Sequence, residues 1–318
     1  MKASILTSAK TNKIMEVPRP EITNNQVLIK VKYCGVCASE LHPWQQGAIE
    51  QEQTILGHEG MGIIEEVGSN VEGFCKGDRV TGLFNQAFAE YAVAEYQDVI
   101  KIPDELEGMV AIGEPLSCLW SGANRTPVNL GDTVAVVGLG FMGLGFMQLM
   151  KHKGAGKIIA IDIRQESLDH AKRFGADEVY LAHEVPDTYK VTDWDEIGQG
   201  IDVSVDTTGS PQGLALAGEL AAVHGVLSIV GYHQSHQGIR NVNMQLWNWK
   251  ALTVINAHER RNQVHVEAMK AMMTLMDNGR FHMKDMITHV HSLDEVDQAY
   301  EHIVTKPDDF IKSVIEIG

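Results

Sequence analysis

Thr133-Val-Ala-Val-Val-Gly138-Leu-Gly140-Phe-Met-Gly143 is the most informative segment of this chain. A run rich in β-branched residues goes straight into a G-x-G-x-x-G spacing, and Leu144–Met150 continues with apolar, mostly helix-forming side chains. A strand that turns into a helix at such glycines predicts a dinucleotide site. The first glycine permits a tight turn, the second lets backbone approach a pyrophosphate, and the third lets helix and strand pack closely. Unpaired N–H groups at the helix start would face the phosphates. Gly138, Gly140, Phe141, Met142 and Gly143 are therefore the expected cofactor loop. Residues 133–150 carry no charge and reach the length of a membrane span. Their glycines, and the change from β-branched to Leu/Met-rich composition, argue instead for a buried strand and helix.

The next apolar run, Lys157–Asp162, ends on an acidic residue close to the ~20-residue interval at which such sites contact the adenosine ribose. The Asp162 carboxylate can accept both ribose hydroxyls and would repel a 2′-phosphate, which favours NAD over NADP. Arg164 reads as a solvated loop charge or an adenine-stacking group. From Thr133 onward strand-like and helix-like segments alternate: 133–138, 141–153, 157–162, 165–174, 202–206, 211–223 and 226–231. That alternation predicts an α/β fold with a doubly wound parallel sheet and helices on both faces.

The earlier part of the chain reads as β-structure. Val27–Tyr33 and Gly62–Gly68 are short and bounded by turn formers, and Gly77-Asp-Arg-Val80 is a turn entering a strand. A small barrel or sandwich fits them. The C-terminal segment shows one amphipathic helix, Val264–Asn278, and a terminal strand, Lys312–Ile317. These are too few for a separate domain, so they are expected to pack back on the first. The expected division is residues 1–117 with 259–318, and 118–258.

Composition bounds the partners. The 318 residues suffice for two domains, and 44% hydrophobic with 21% charged residues is the balance of a globular chain. Lys+Arg number 26 and Asp+Glu 42, a net charge of −16 that argues against nucleic acid or anionic membrane. Met1-Lys-Ala-Ser4 lacks the apolar stretch of a signal peptide, and four cysteines are too few for a disulfide scaffold. The expectation is a cytoplasmic protein acting on a small molecule.

Thiol, imidazole and carboxylate groups concentrate in Cys34-Gly-Val-Cys37-Ala-Ser39-Glu40-Leu-His42 and Gly57-His58-Glu59, with Glu114-Pro-Leu following. Such donors suit zinc with one open coordination position. A Cys-x-x-Cys could equally be a redox pair or half of a four-cysteine structural site. The isolation of Cys75 and Cys118 disfavours the last.

With these motifs in this order, the chain resembles the zinc-dependent medium-chain dehydrogenases, in particular their sorbitol (polyol) branch. The resemblance runs from the Cys37 region through Gly57-His-Glu, Gly77-Asp-Arg-Val, Glu114-Pro-Leu and the glycine fingerprint to the C-terminal strand. It implies a GroES-like β-barrel catalytic domain, completed by the C-terminal segment, and a Rossmann NAD-binding domain. It implies Cys37 and His58 as zinc ligands, with Glu59 or Glu114, or both in turn, as the remaining one. Cys34 would be a packed residue, and Glu40 would orient His58. Ser39 would bond the substrate oxygen and pass its proton by way of the nicotinamide ribose to His42. Val230, Gly231 and Asn256 occupy places that touch the nicotinamide end, and Trp44 and Phe88, with Phe84, would wall the substrate pocket.

The chain lacks the four-cysteine lobe that many relatives carry after Gly-Asp-Arg-Val, so one zinc per chain is expected. Pro43 follows His42 where sorbitol dehydrogenases typically have an aromatic residue. The implied reaction is oxidation of a secondary alcohol, a polyol or cyclic polyol, to a ketone with NAD, by a homodimer or homotetramer. The rivals are an L-threonine dehydrogenase, a zinc-free quinone-reductase relative and a non-catalytic NAD sensor. His233, His236, His289 and His291 read as structural or solvent-exposed, and Met269–Met276 as one buried helix face.

Overall fold

A computed structural model describes residues 1–47 and 54–318. These divide into two compact units, Met1–Cys118 with Arg260–Gly318, and Leu119–Glu259. Among the described residues no helix is long and apolar enough to cross a membrane.

The chain opens with β1 (Lys2–Ser8), β2 (Thr11–Glu16) and β3 (Gln26–Gly35), then a one-turn 3-10 helix at Ala38–Glu40 and α1 (Leu41–Gln46). β4 (Thr54–Ile55), β5 (Glu59–Val67), β6 (Arg79–Gly82), β7 (Tyr91–Glu95) and β8 (Val99–Lys101) lead to α2 (Gly113–Arg125). β3 organises this unit. Its Val27, Ile29 and Val31 are buried in the core, Leu28 is buried on the opposite face, and Lys30 points to solvent. It pairs antiparallel with both β5 and β7, and two register shifts interrupt the β3–β5 ladder. Such bulges increase local twist.

The second unit begins with β9 (Thr133–Val137), α3 (Phe141–Lys153), β10 (Lys157–Asp162), α4 (Gln165–Arg173) and β11 (Glu178–Leu181). β12 (Ile201–Asp206), α5 (Pro211–Leu220), β13 (Ala221–Ile229), α6 (Met244–Trp249) and β14 (Thr253–Asn256) complete it. The sheet is parallel throughout in the order β11-β10-β9-β12-β13-β14, the 3-2-1-4-5-6 arrangement of dinucleotide-binding folds. Ala135, Val137, Ile159 and Ile161 pack with Leu214 and Leu220 of α5. The alternate residues Val134, Val136, Ile158 and Ala160 are equally buried, so both faces are covered. Helix α3 is buried nearly all round, which accounts for its membrane-like composition.

Two expectations need correction here. Helix α5 stops at Leu220, and β13 starts directly at Ala221. The cause is Lys250, a buried side chain whose Nζ donates to the carbonyls of Gly218, Glu219 and Ala221 at 2.8–2.9 Å and so satisfies the helix end. After α7 (Asn262–Asp277) and β15 (His289–Ser292) comes a second C-terminal helix that the sequence reading missed, α8 (Val296–Thr305). Ser292 and Glu295 form a capping box ahead of it, and Val296, Ala299, Tyr300 and Ile303 make its buried stripe. β16 (Ser313–Glu316) closes the chain, pairing parallel to β15 and antiparallel to β3.

Candidate active site

Three strands deliver the site. At the end of β3, Gly35 stands opposite Glu59, the first residue of β5, and opposite Val314 of β16. Cys37 just beyond β3, His58 just before β5 and Lys312 just before β16 are thereby brought together. A Cβ at Gly35 would overlap Oε2 of Glu59 and lie 2.6 Å from Ile112, so only glycine lets that carboxylate fold across β3.

Ligand atoms of Cys37, His58 and Glu59 all lie within 4.8 Å of one another. Tetrahedral zinc bonds of ~2.0–2.3 Å set ligand atoms roughly 3–4 Å apart, so small side-chain movements close the triangle. His58 Nδ1 is 2.9 Å from Oε1 of Glu40, which also accepts the Gly57 N–H at 2.8 Å, while Oε2 of Glu40 accepts the Tyr300 hydroxyl at 2.8 Å. A carboxylate fixed on one imidazole nitrogen leaves the other for a metal. Burial pushes His58 towards its neutral form, but hydrogen bonds with Cys37 and Glu40 outweigh it and raise its pKa to about 12. A metal cation would compete with the proton for this imidazole.

Charge points the same way. Glu59 is 2% exposed, and Glu114 stands nearby on the first turn of α2. Burial and then the Glu59 carboxylate raise the pKa of Glu114. Glu114 is placed by the Gly113 N–H, which donates to Thr81 Oγ1 at 2.7 Å, and Thr81 in turn donates to Gly60 O. One turn on, Cys118 Sγ is 3.4 Å from Glu114 Oε1, and burial and then Glu114 hold its thiol well above the ordinary value. Against these acids stands Lys312, whose Nζ is 2.7 Å from Glu59 Oε2. The distance is that of a close ion pair. Burial opposes the ammonium charge, but Glu59 and Cys37 outweigh it and raise its pKa. One ammonium cannot balance this many acids, so the donor set fits a divalent cation.

The remaining expected residues are not all gathered here. Ser39 Oγ donates to Cys37 Sγ at 3.2 Å, whereas His42 lies exposed on α1 with no direct bond to Ser39 among the described residues. Cys34 is fully buried, donating weakly to Gly35 O. Trp44 and Phe88 are corrected. Neither has any exposed surface; Trp44 stacks on Tyr300 at 5.2 Å and donates to Asp297, and Phe88 meets the edge of Tyr300. They are core residues, not pocket walls, and Phe84 is buried with them. Lys312 and Tyr300 were missed. A lone charge inside Phe310–Ile315, otherwise apolar or small, was the available signal for Lys312.

In the second unit Gly138 has φ +94 and Gly140 caps α3. A Cβ on Gly143 would overlap Gly138 O, which explains the third glycine. Phe141 and Met142 form the first turn of α3, directly after the glycine loop. Asp162 Oδ2 accepts the Leu139 N–H at 2.7 Å and Oδ1 the Arg164 N–H at 3.0 Å, leaving acceptor capacity on both oxygens. Val230 and Gly231 donate their N–H groups to Asp206 O, and Asn256 ends β14 with Oδ1 accepting the His258 N–H.

Two family patterns match the chain, "Alcohol dehydrogenase GroES-like domain" over residues 23–104 and "Zinc-binding dehydrogenase" over 142–278. The chain is 29% identical to the sorbitol dehydrogenase of Bacillus subtilis, over 99% of this chain and 97% of that protein. It is 26% identical to D-xylulose reductase A of Aspergillus niger, over 92% and 90%. Among solved structures, an alcohol dehydrogenase from Thermus sp. ATN1 superposes with a TM-score of 0.84 at 24% identity, covering all of both chains.

Proposed function

We infer the reaction from kinship: this chain belongs to the zinc-type medium-chain alcohol dehydrogenases, with a GroES-like domain and a Rossmann domain. It is a zinc-dependent alcohol or polyol dehydrogenase that uses a nicotinamide dinucleotide and acts on a small-molecule alcohol. Within that class we propose oxidation of a secondary alcohol, a polyol or cyclic polyol, to a ketone with NAD. The observation that carries this reading is the convergence of Cys37, His58 and Glu59 beside Glu40 and Lys312.

Cys37, His58 and Glu59 would hold the metal, with Glu114 as a further carboxylate in reach of the same charge. When bound, zinc would acidify the substrate hydroxyl and the nicotinamide would accept hydride from the carbinol carbon. Glu40 keeps His58 in one orientation, because both of its oxygens are already committed to Gly57, His58 and Tyr300. Lys312 places its ammonium 2.7 Å from Glu59 Oε2 in a dry setting. Ser39, whose hydroxyl can turn away from Cys37, would take the substrate hydroxyl proton and pass it towards exposed His42. Gly138 to Gly143 would cradle the pyrophosphate, Asp162 would take the adenosine ribose hydroxyls, and Val230, Gly231 and Asn256 would border the nicotinamide. We further propose a cytoplasmic homo-oligomer, a dimer or tetramer, in keeping with four free cysteines and a strongly acidic surface charge.

The test is NAD reduction across polyols, inositols and threonine, with zinc measured on the same sample. Turnover of polyols with about one zinc per chain is expected. Activity on threonine alone, or full activity without metal, would overturn the proposed chemistry.

A further inference from the structure

A buried polar cluster lies in the Rossmann unit, away from every residue assigned above to metal or substrate. Asp206, the last residue of β12, has no exposed surface. Its Oδ1 accepts the Thr208 N–H at 3.0 Å and the Thr208 hydroxyl at 2.6 Å, and its Oδ2 is 2.8 Å from His233 Nε2. The other imidazole nitrogen, Nδ1, accepts from Arg240 Nε at 2.7 Å. With Nδ1 accepting, the proton sits on Nε2 and is donated to Asp206, so a neutral imidazole links a carboxylate to a guanidinium. The rest of Arg240 is fully engaged. Nη1 donates to Ser235 O and Ile239 O, and Nη2 to Gly209 O and Ser235 Oγ. No guanidinium N–H remains for a ligand, so Arg240 is not an anion site. Its bonds tie the turn Thr207–Gly209 to the loop 233–240.

That turn is the floor of the expected cofactor loop. Thr207 N donates to Val137 O at 2.9 Å, and its Oγ1 donates to Val137 O at 3.0 Å and also to Gly138 O. A Cβ placed on Gly138 would lie 2.6 Å from Thr208 Cγ2, and one on Gly143 would lie 2.9 Å from Thr207 Oγ1. The two threonines therefore fill the space that the glycines leave below the loop. A continuous path of bonds and close contacts runs from Arg240 through His233 and Asp206 to Thr208, and from there to Gly138.

We propose that Asp206, His233 and Arg240 are positioning residues for the dinucleotide: they lock the Thr207–Gly209 turn against the glycine loop and so set cofactor affinity. This rests on the functional reading above for the identity of the ligand. A loop held in its bound shape pays less ordering entropy when the pyrophosphate arrives. Loosening the lock weakens binding while the hydride-transfer geometry at saturating cofactor is retained.

The experiment compares wild type with His233→Leu, Arg240→Met and His233→Gln. Glutamine keeps a donor for Asp206 and an acceptor for Arg240 at a similar spacing, whereas leucine keeps only the bulk. NADH affinity is read directly by fluorescence titration on the whole protein, alongside KM for NAD, kcat and thermal midpoint. The expected result is a roughly tenfold rise in NADH Kd and in KM for NAD for His233→Leu and Arg240→Met, equivalent to ~1.4 kcal/mol. For these two, kcat should stay within about twofold, and His233→Gln should stay within about threefold of wild type throughout. NADH affinity unchanged in all three variants, leucine and glutamine behaving alike, or a fall in kcat without a change in Kd would overturn the proposal. Wild type that binds no dinucleotide would refute the functional reading itself, and this inference with it.

Discussion

Lys312→Met keeps an apolar stem of similar length and removes only the ammonium 2.7 Å from Glu59. Glu59, 2% exposed, is then a buried carboxylate facing the half-buried acid Glu114 without its cation. Removing one partner of a buried ion pair costs about 3–5 kcal/mol. At ~2–4 °C per kcal/mol for a domain of this size, the metal-stripped variant should melt roughly 6–20 °C below stripped wild type. With zinc loaded, the cation answers part of the same negative charge, so the loss should be smaller. The thermodynamic cycle then requires zinc to bind the variant more tightly by that difference, and ~2 kcal/mol would be about 30-fold. Calorimetric melts with and without a chelator, together with zinc affinity from competition with a chromophoric chelator, measure both sides of the cycle. Equal destabilisation of stripped and loaded protein, or weaker zinc binding, would show that Lys312 does not balance Glu59.

Other expectations follow from the same geometry. Ser39→Ala should leave zinc and NAD binding near wild type and slow hydride transfer by roughly 10²-fold, the usual scale for a proton-transfer group; unchanged single-turnover rates would remove Ser39 from the relay. Asp162→Asn removes the charge and keeps an acceptor for only one of the Leu139 and Arg164 N–H groups, so the ratio of NAD to NADP efficiency should fall, and an unaltered ratio would separate Asp162 from the ribose. His289 and His291 are held below the ordinary histidine value by burial and then by His302. The unfolded chain therefore binds more protons than the folded one below about pH 6.5. Stability should be full above that pH and decline as pH falls through it, less steeply in His302→Gln; parallel melting-temperature profiles would contradict this assignment.

Much of this was legible in the sequence because the signals are local. The glycine spacing after Thr133–Val137 and the acidic end of β10 are fixed by neighbours a few bonds away, and backbone geometry alone makes them readable. Cys37, His58 and Glu59 stood out because their donor chemistry is rare in combination, and the structure brings their ligand atoms within 4.8 Å of one another. What was missed depends on long-range pairing. Lys312 belongs to the site only because β16 pairs with β3 across nearly the whole chain. Trp44 looked like a pocket wall since an aromatic near a site motif is ambiguous by itself; Tyr300 and Asp297 of α8, an element the apolar pattern had not revealed, bury it. The early end of α5 likewise depends on Lys250, far along the chain.

X-ray absorption at the zinc edge of the reconstituted protein examines the metal assignment without relying on turnover. The account requires one zinc per chain with a single sulfur near ~2.3 Å and nitrogen or oxygen neighbours near ~2.0–2.2 Å, as Cys37, His58 and a carboxylate would give. Two sulfur neighbours would put Cys118 on the ion in place of Glu114 or Glu59, and zinc retained undiminished in Cys37→Ser would show that the ion is held elsewhere.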